Sequence, residues 1–227
     1  MPRMYADRAD AGRALANSLA HLRAAPGAIV LGLPRGGVPV AYEVARALGL
    51  PLDVLVVRKL GLPQQPELAM GAIASGGALV VNDDVLRHLG GCSEAFESVR
   101  ASEQAELVRR EREYRGDRPP LGMAGRTAIL VDDGLATGAT MEAAVRALKS
   151  LGARRVVVAV PVASQEALER IEALADEVVC LATPPYFSAV GQWYADFGQT
   201  GDAEVRDLLA RASVAKQSSR HGGGGEP

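Results

Sequence analysis

Between residues 127 and 182 short apolar runs alternate with segments of helical periodicity, and no feature of the chain restricts its fold more. TAILVD (127–132), RVVVAVPV (155–162) and EVVCLA (177–182) are rich in β-branched residues and apolar at successive positions. TMEAAVRALKSLG (140–152) and SQEALERIEALA (164–175) place apolar residues three and four apart; the first ends at glycine and the second starts on Ser164, a good N-cap. Strands that are apolar at odd and even positions alike must be covered on both faces. The alternation therefore predicts an α/β fold: a twisted parallel sheet with helices on both sides.

The N-terminal half extends this pattern. Residues 7–24 read as an amphipathic helix stopped by Pro26-Gly27, AIVLGL (28–33) as a buried strand, VPVAYEVARALG (38–49) as a helix ending at glycine, and LDVLVV (52–57) as a strand closed by Arg58-Lys59. Residues 60–92 hold many Gly and Pro and two weak strand signals, AMGAIAS and ALVVN, which suit a flexible loop or hairpin insertion. The run 93–115 reads as one charged helix; glutamates interleaved among Arg109, Arg110, Arg112 and Arg115 mark a solvated face rather than a nucleic-acid patch. Residues 1–212 form a single domain on this reading, and 213–227, ending SSRHGGGGEP, a disordered tail.

A net charge of −2 leaves no general attraction to nucleic acid or an anionic membrane, so any anion site must be local. Cys92 and Cys180 are too few for a disulfide framework and read as small buried hydrophobes; His21, His88 and His221 have no metal or triad spacing. The first residues lack a signal-peptide core, and no apolar run approaches the roughly 18–20 residues that span a bilayer. The expectation is a cytoplasmic protein without membrane or nucleic-acid partners.

Ligands of parallel sheets sit at the carboxyl ends of the strands. That rule gathers Arg35-Gly36-Gly37, Arg58-Lys59 and Asp132-Asp133 along one edge. The last pair lies in AILVDDGLATGATM (128–141), where a buried strand runs into two acids and then into small residues and threonines. No lysine follows Gly138, so this is not a Walker loop, and the glycine spacing of a dinucleotide fingerprint is absent. Ala136, Thr137, Gly138, Ala139 and Thr140 nevertheless suit a phosphate. They precede a helix whose N-terminus carries about half a positive charge, and their small side chains let an anion reach the backbone. Beside a bound phosphate the carboxylates must face hydroxyls or a hard cation. A sugar phosphate meets both demands.

VDDGLATGATM closely resembles the phosphoribosyl pyrophosphate (PRPP) motif of the type I phosphoribosyltransferases. The resemblance implies that Asp132 and Asp133 contact the ribose hydroxyls, reaching Mg²⁺ only through those hydroxyls or water, and that Ala136 to Thr140 wrap the 5-phosphate. LGLPRGGVPVA (31–41) is similar to the family's pyrophosphate loop, with Arg35, Gly36 and Gly37 facing the leaving group and a non-proline cis peptide near Arg35-Gly36. VVRKLGLPQQPELAMGAIASGG (56–77) resembles the strand end and flexible loop of the adenine-type members, which puts Arg58 or Lys59 at the pyrophosphate. The implied fold is Rossmann-like with a small hood, here 183–202, where Tyr186, Phe187, Trp193, Tyr194 and Phe197 cluster. Tyr186, Phe187 and Trp193 are candidates to stack on a base, although such a cluster equally serves a hood core or a dimer interface. The implied activity transfers a phosphoribosyl group from PRPP to a nitrogenous acceptor, with Mg²⁺-assisted release of pyrophosphate, in a homodimer. Asp132, Asp133, Arg35 and Lys59 are its catalytic candidates; a PRPP-sensing module without turnover is the alternative. The residue at Ala136 argues against 6-oxopurine chemistry assisted from that position, and Val160-Pro161-Val162-Ala163 lacks the glutamate of adenine-specific members, so the acceptor is open.

Overall fold

The computed structural model describes residues 4–62, 65–82, 85, 87 and 94–221. His88, Cys92, Ser93 and residues 222–227, all read above, lie outside them.

Five parallel strands form the central sheet: β1 (Ala28–Gly32), β2 (Leu52–Val54), β6 (Thr127–Val131), β7 (Arg155–Val162) and β8 (Glu177–Ala182), in the order β2-β1-β6-β7-β8. On one face lie α1 (Arg8–Ser18), α2 (Gly37–Leu48), α3 (Glu94–Arg115) and α6 (Asp202–His221); on the other lie α4 (Ala139–Ser150) and α5 (Gln165–Glu172). The pleat sorts the side chains: Val30, Ile129, Val131 and Val157 join the first core, whereas Ile29, Leu31, Leu130 and Val158 join the second. This two-sided burial is what the apolar strands demand. From β1 the chain first moves outward to β2 and later returns to β6 on the other side of β1. The loops after β1 and β6 therefore diverge, opening a crevice at that switch point.

The sequence reading of LDVLVV as one strand is corrected. Pairing with β1 stops at Val54, and Val56 turns to Ser75, whose Oγ accepts the Val56 amide at 3.0 Å while its own amide donates to the Val56 carbonyl at 2.9 Å. The chain then enters β3 (Val57–Leu62), which forms an antiparallel sheet with β4 (Gln65–Ala74) and β5 (Ala78–Val81). Arg58 and Lys59 consequently sit inside β3, not at the end of a core strand.

Two further readings change. Arg115 does not belong to a solvated basic face: it is buried, and its Nε and Nη2 each donate at 3.0 Å to the buried Asp53 of β2. Arg109 and Arg110 do pair with neighbouring glutamates at the surface. Residues 213–221, expected to be disordered, continue α6, since no Gly or Pro interrupts the chain between Asp202 and His221. Cys180 is half-buried and free. Among the described residues no helix is long and apolar enough to cross a membrane.

Candidate active site

At the mouth of the crevice the end of β6 meets the loop after β1. The Leu33 amide donates to the Val131 carbonyl at 2.9 Å, and the Gly37 amide turns back to Leu33 at 3.0 Å. The cis peptide is Pro34–Arg35, one bond earlier than the resemblance placed it. Gly36 and Gly37 are required by close approach. A Cβ on Gly36 would lie 2.1 Å from Asp133 Oδ2, and one on Gly37 would lie 2.7 Å from the Val131 carbonyl oxygen and 2.9 Å from the Asp132 Cα. The glycine loop thus packs directly on the two aspartates.

Asp132 Oδ1 accepts the Asp133 amide at 2.9 Å. Burial and the neighbouring Asp133 charge push the Asp132 carboxyl well above the usual range. Burial also raises Asp133, but there the Arg8 guanidinium opposes it, donating from Nε to Oδ2 at 2.8 Å. Tyr194 donates its hydroxyl to the Asp133 carbonyl at 2.6 Å. The pair is thus held in place yet poorly solvated as anions, and hydroxyl donors or a cation would relieve it.

Beyond the aspartates the chain makes the predicted turn. Leu135 N donates to Val162 O and Ser164 Oγ to Ala136 O, fastening the turn to the end of β7. Gly138 adopts a left-handed conformation (φ 74°) and leads into α4 at Ala139. The amides of Ala136, Thr137 and Gly138 have no partner among the described residues. Three unpartnered donors ahead of a helix are groups able to hold an anion.

The sequence matches the phosphoribosyl transferase domain over residues 8–196. The chain belongs to that family. Two Mycobacterium tuberculosis proteins, from strains CDC 1551 / Oshkosh and H37Rv and each provisionally named a phosphoribosyl transferase, are 52% identical over 210 residues. The match covers 92% of this chain and 47% of each relative, so the chain spans about half the length of those curated proteins. Among solved structures, TT1426 from Thermus thermophilus is 49% identical, with a TM-score of 0.82, covering 91% of this chain and 98% of that one.

A cavity of about 390 Å³ brings together Pro34, Arg35, Gly36, Asp132 and Asp133 with Arg8 and with Phe197 to Thr200, which lie just past the matched phosphoribosyl transferase domain. Lys59 is exposed and faces a different cavity, of about 520 Å³, between the antiparallel sheet and α4, where Ala139 also lies. Arg58 points away from both and donates from Nε to Glu103 of α3 at 2.6 Å, because successive strand residues face opposite sides. Of Arg58 and Lys59, only Lys59 shares a cavity with Ala139 at the start of α4.

The hood aromatics are also redistributed. Trp193 is buried in a small core with Tyr5, Ala11, Val162 and Tyr194, its Nε1 without a partner among the described residues, and Phe187 stacks on it at 6.4 Å. Tyr186 is 76% exposed. None of the three lines the cavity beside the aspartates; Phe197 does. Sequence reasoning missed Arg8 altogether. The available signal was a cation in the first turn of a helix, where the macrodipole disfavours it.

Proposed function

We infer that this domain transfers a phosphoribosyl group from PRPP to a nitrogenous small molecule and releases pyrophosphate. One observation carries the reading: the open amides of Ala136 to Gly138 lie on the same strand end as the paired Asp132 and Asp133, against a glycine loop. A 5-phosphate fits the turn, with Thr137 and Thr140 hydroxyls as added donors, and the ribose hydroxyls fit the carboxylates. Membership of the family supports the same assignment.

In the reaction the acceptor nitrogen attacks the anomeric carbon while the carbon–oxygen bond to pyrophosphate breaks, and the bonding pair leaves with pyrophosphate. Arg35 and the amides of Arg35 and Gly36, which have no partner among the described residues, are placed to stabilise that developing charge. The Gly37 amide is already used by Leu33 and is withdrawn from this role. Lys59, which shares the neighbouring cavity with Ala139, would approach the 5-phosphate side of PRPP from β3. Mg²⁺ fits as a cation carried by the substrate, since Mg²⁺ sites commonly combine one or two carboxylates with phosphates. Asp132 and Asp133 would hold it through ribose hydroxyls or water, and bound it neutralises pyrophosphate charge. The acceptor belongs beside Asp133, against Phe197, Gln199 and Thr200.

Phosphorus NMR of PRPP with Mg²⁺, the protein and a pool of purines, pyrimidines and other nitrogen acceptors tests this. Acceptor-dependent appearance of pyrophosphate is expected. PRPP resonances unchanged in position and width would overturn the reading, as would equal PRPP affinity in the protein carrying both Asp132→Asn and Asp133→Asn.

A further inference from the structure

Four contacts around Asp133 close into a ring. Arg8 Nε donates to Asp133 Oδ2 at 2.8 Å, and the Arg8 guanidinium lies over the Phe197 ring, 3.9 Å from its centroid. Phe197 packs on Tyr194 with centroids 5.0 Å apart, and the Tyr194 hydroxyl returns to the Asp133 carbonyl at 2.6 Å. Arg8 Nη1 adds a tie to the Gly198 carbonyl at 2.7 Å. The Arg8 and Asp133 side chains are 13% and 14% exposed, so water screens their attraction little.

We propose that Arg8 is a positioning residue for the ribose site, acting by fixing the Asp133 carboxylate. The assignment rests on the PRPP reading above and adds to it a residue outside the PRPP motif and the pyrophosphate loop. Its logic is geometric. Oδ2 is confined between Gly36 and the Arg8 Nε, which sets the rotation of the carboxylate. Oδ1 accepts from no other residue among the described ones, so the same rotation presents it to a ligand hydroxyl. A carboxylate free to rotate would spend part of the binding energy on ordering. A guanidinium does what an ammonium cannot: its rigid fork reaches Asp133 and Gly198 together while its face rests on Phe197. Arg8 also stands in the first turn of α1, where its charge opposes the helix dipole, so its placement is explained by its partner rather than by the helix.

The test is calorimetric titration of PRPP and, separately, ribose 5-phosphate into the parent, Arg8→Ala, Arg8→Lys and Asp133→Asn proteins and the Arg8→Ala/Asp133→Asn double variant. Thermal unfolding is recorded for each. Arg8→Ala should bind both ligands about tenfold more weakly, about 1.4 kcal/mol, and Arg8→Lys should recover part of that loss. In the Asp133→Asn background, Arg8→Ala should cost nothing further, because its effect passes through the carboxylate. An equal loss in both backgrounds would mean that Arg8 touches the ligand itself; unchanged binding would make Arg8 a purely structural tie; tighter binding would make it an obstruction. Each of these three overturns the proposal. If the parent binds neither ligand, the PRPP reading fails first.

Discussion

Gly36→Ala offers a sharp test of how the site is assembled. Gly36 has φ −61° and ψ −31°, which alanine adopts without strain, so the substitution acts mainly through the space it fills. The new methyl would lie 2.1 Å from Asp133 Oδ2, 2.9 Å from its Cγ and 3.4 Å from Arg8 Nε. Neither backbone can retreat easily, because Leu33 and Gly37 are hydrogen-bonded to each other and Leu33 to the end of β6. The carboxylate must rotate and release Arg8. Losing one hydrogen bond between charged groups costs about 1.5–3 kcal/mol, and the helix N-cap loses a few tenths more when glycine becomes alanine. Urea unfolding should therefore show Gly36→Ala destabilised by about 2 kcal/mol. Gly122→Ala, where the added Cβ meets nothing within 4 Å, serves as the control and should stay within about 0.5 kcal/mol of the parent. PRPP affinity should fall together with stability, by tenfold for about every 1.4 kcal/mol lost at the ribose. Gly36→Ala matching Gly122→Ala in both assays would refute the contact between the glycine loop and Asp133.

Other expectations follow from the same geometry. Gly138→Ala forces a side chain into a left-handed conformation and should cost about 1–2 kcal/mol in urea unfolding, with weaker binding of inorganic phosphate as the specific signature. Arg115→Ala leaves the buried Asp53 with the Val54 amide, 2.9 Å from Oδ1, and Arg118, 3.8 Å away; a loss of about 3–5 kcal/mol is expected in the same assay. Burial raises the Tyr5 and Tyr114 hydroxyls to about 12, with Asp202 adding to Tyr114, and carries Tyr194 higher still. A folded pKa above the unfolded value of 10.0 means these groups stabilise the fold fully below pH 10 and lose that contribution as pH rises towards 12. Tyrosinate absorbance should then show three of the five tyrosines ionising late, together with loss of circular dichroism; ionisation of all five near pH 10 in a folded protein would contradict it.

The central sheet was legible because both-face burial writes itself into consecutive apolar positions, and the turn before α4 because two acids and a run of small residues interrupt the apolar strand there. What was hidden depended on direction. Nothing in VVRK tells that Arg58 and Lys59 face opposite sides of a hairpin, since periodicity gives alternation but not which side is which. The aromatic cluster showed composition without orientation: Trp193 turned into a core, Tyr186 into solvent and Phe197 into the cavity. Arg8 was invisible for a different reason. Its partners are Asp133 and Gly198, the latter 190 positions away, and no local pattern records a contact at that range.

That separation has a consequence for how the protein comes into being. Met4 and Tyr5 donate their amides to Trp193, and Ala195 and Asp196 donate theirs to Tyr5 and Ala6. During synthesis residues 4–6 must wait for residues 193–196 before this seam can close. The sheet from β1 to β8 can assemble behind the ribosome, but the wall beside Asp133 cannot. Ligand competence should therefore arrive only after residues 193–198 are made, making ligand capture a reporter of this closure rather than of sheet assembly.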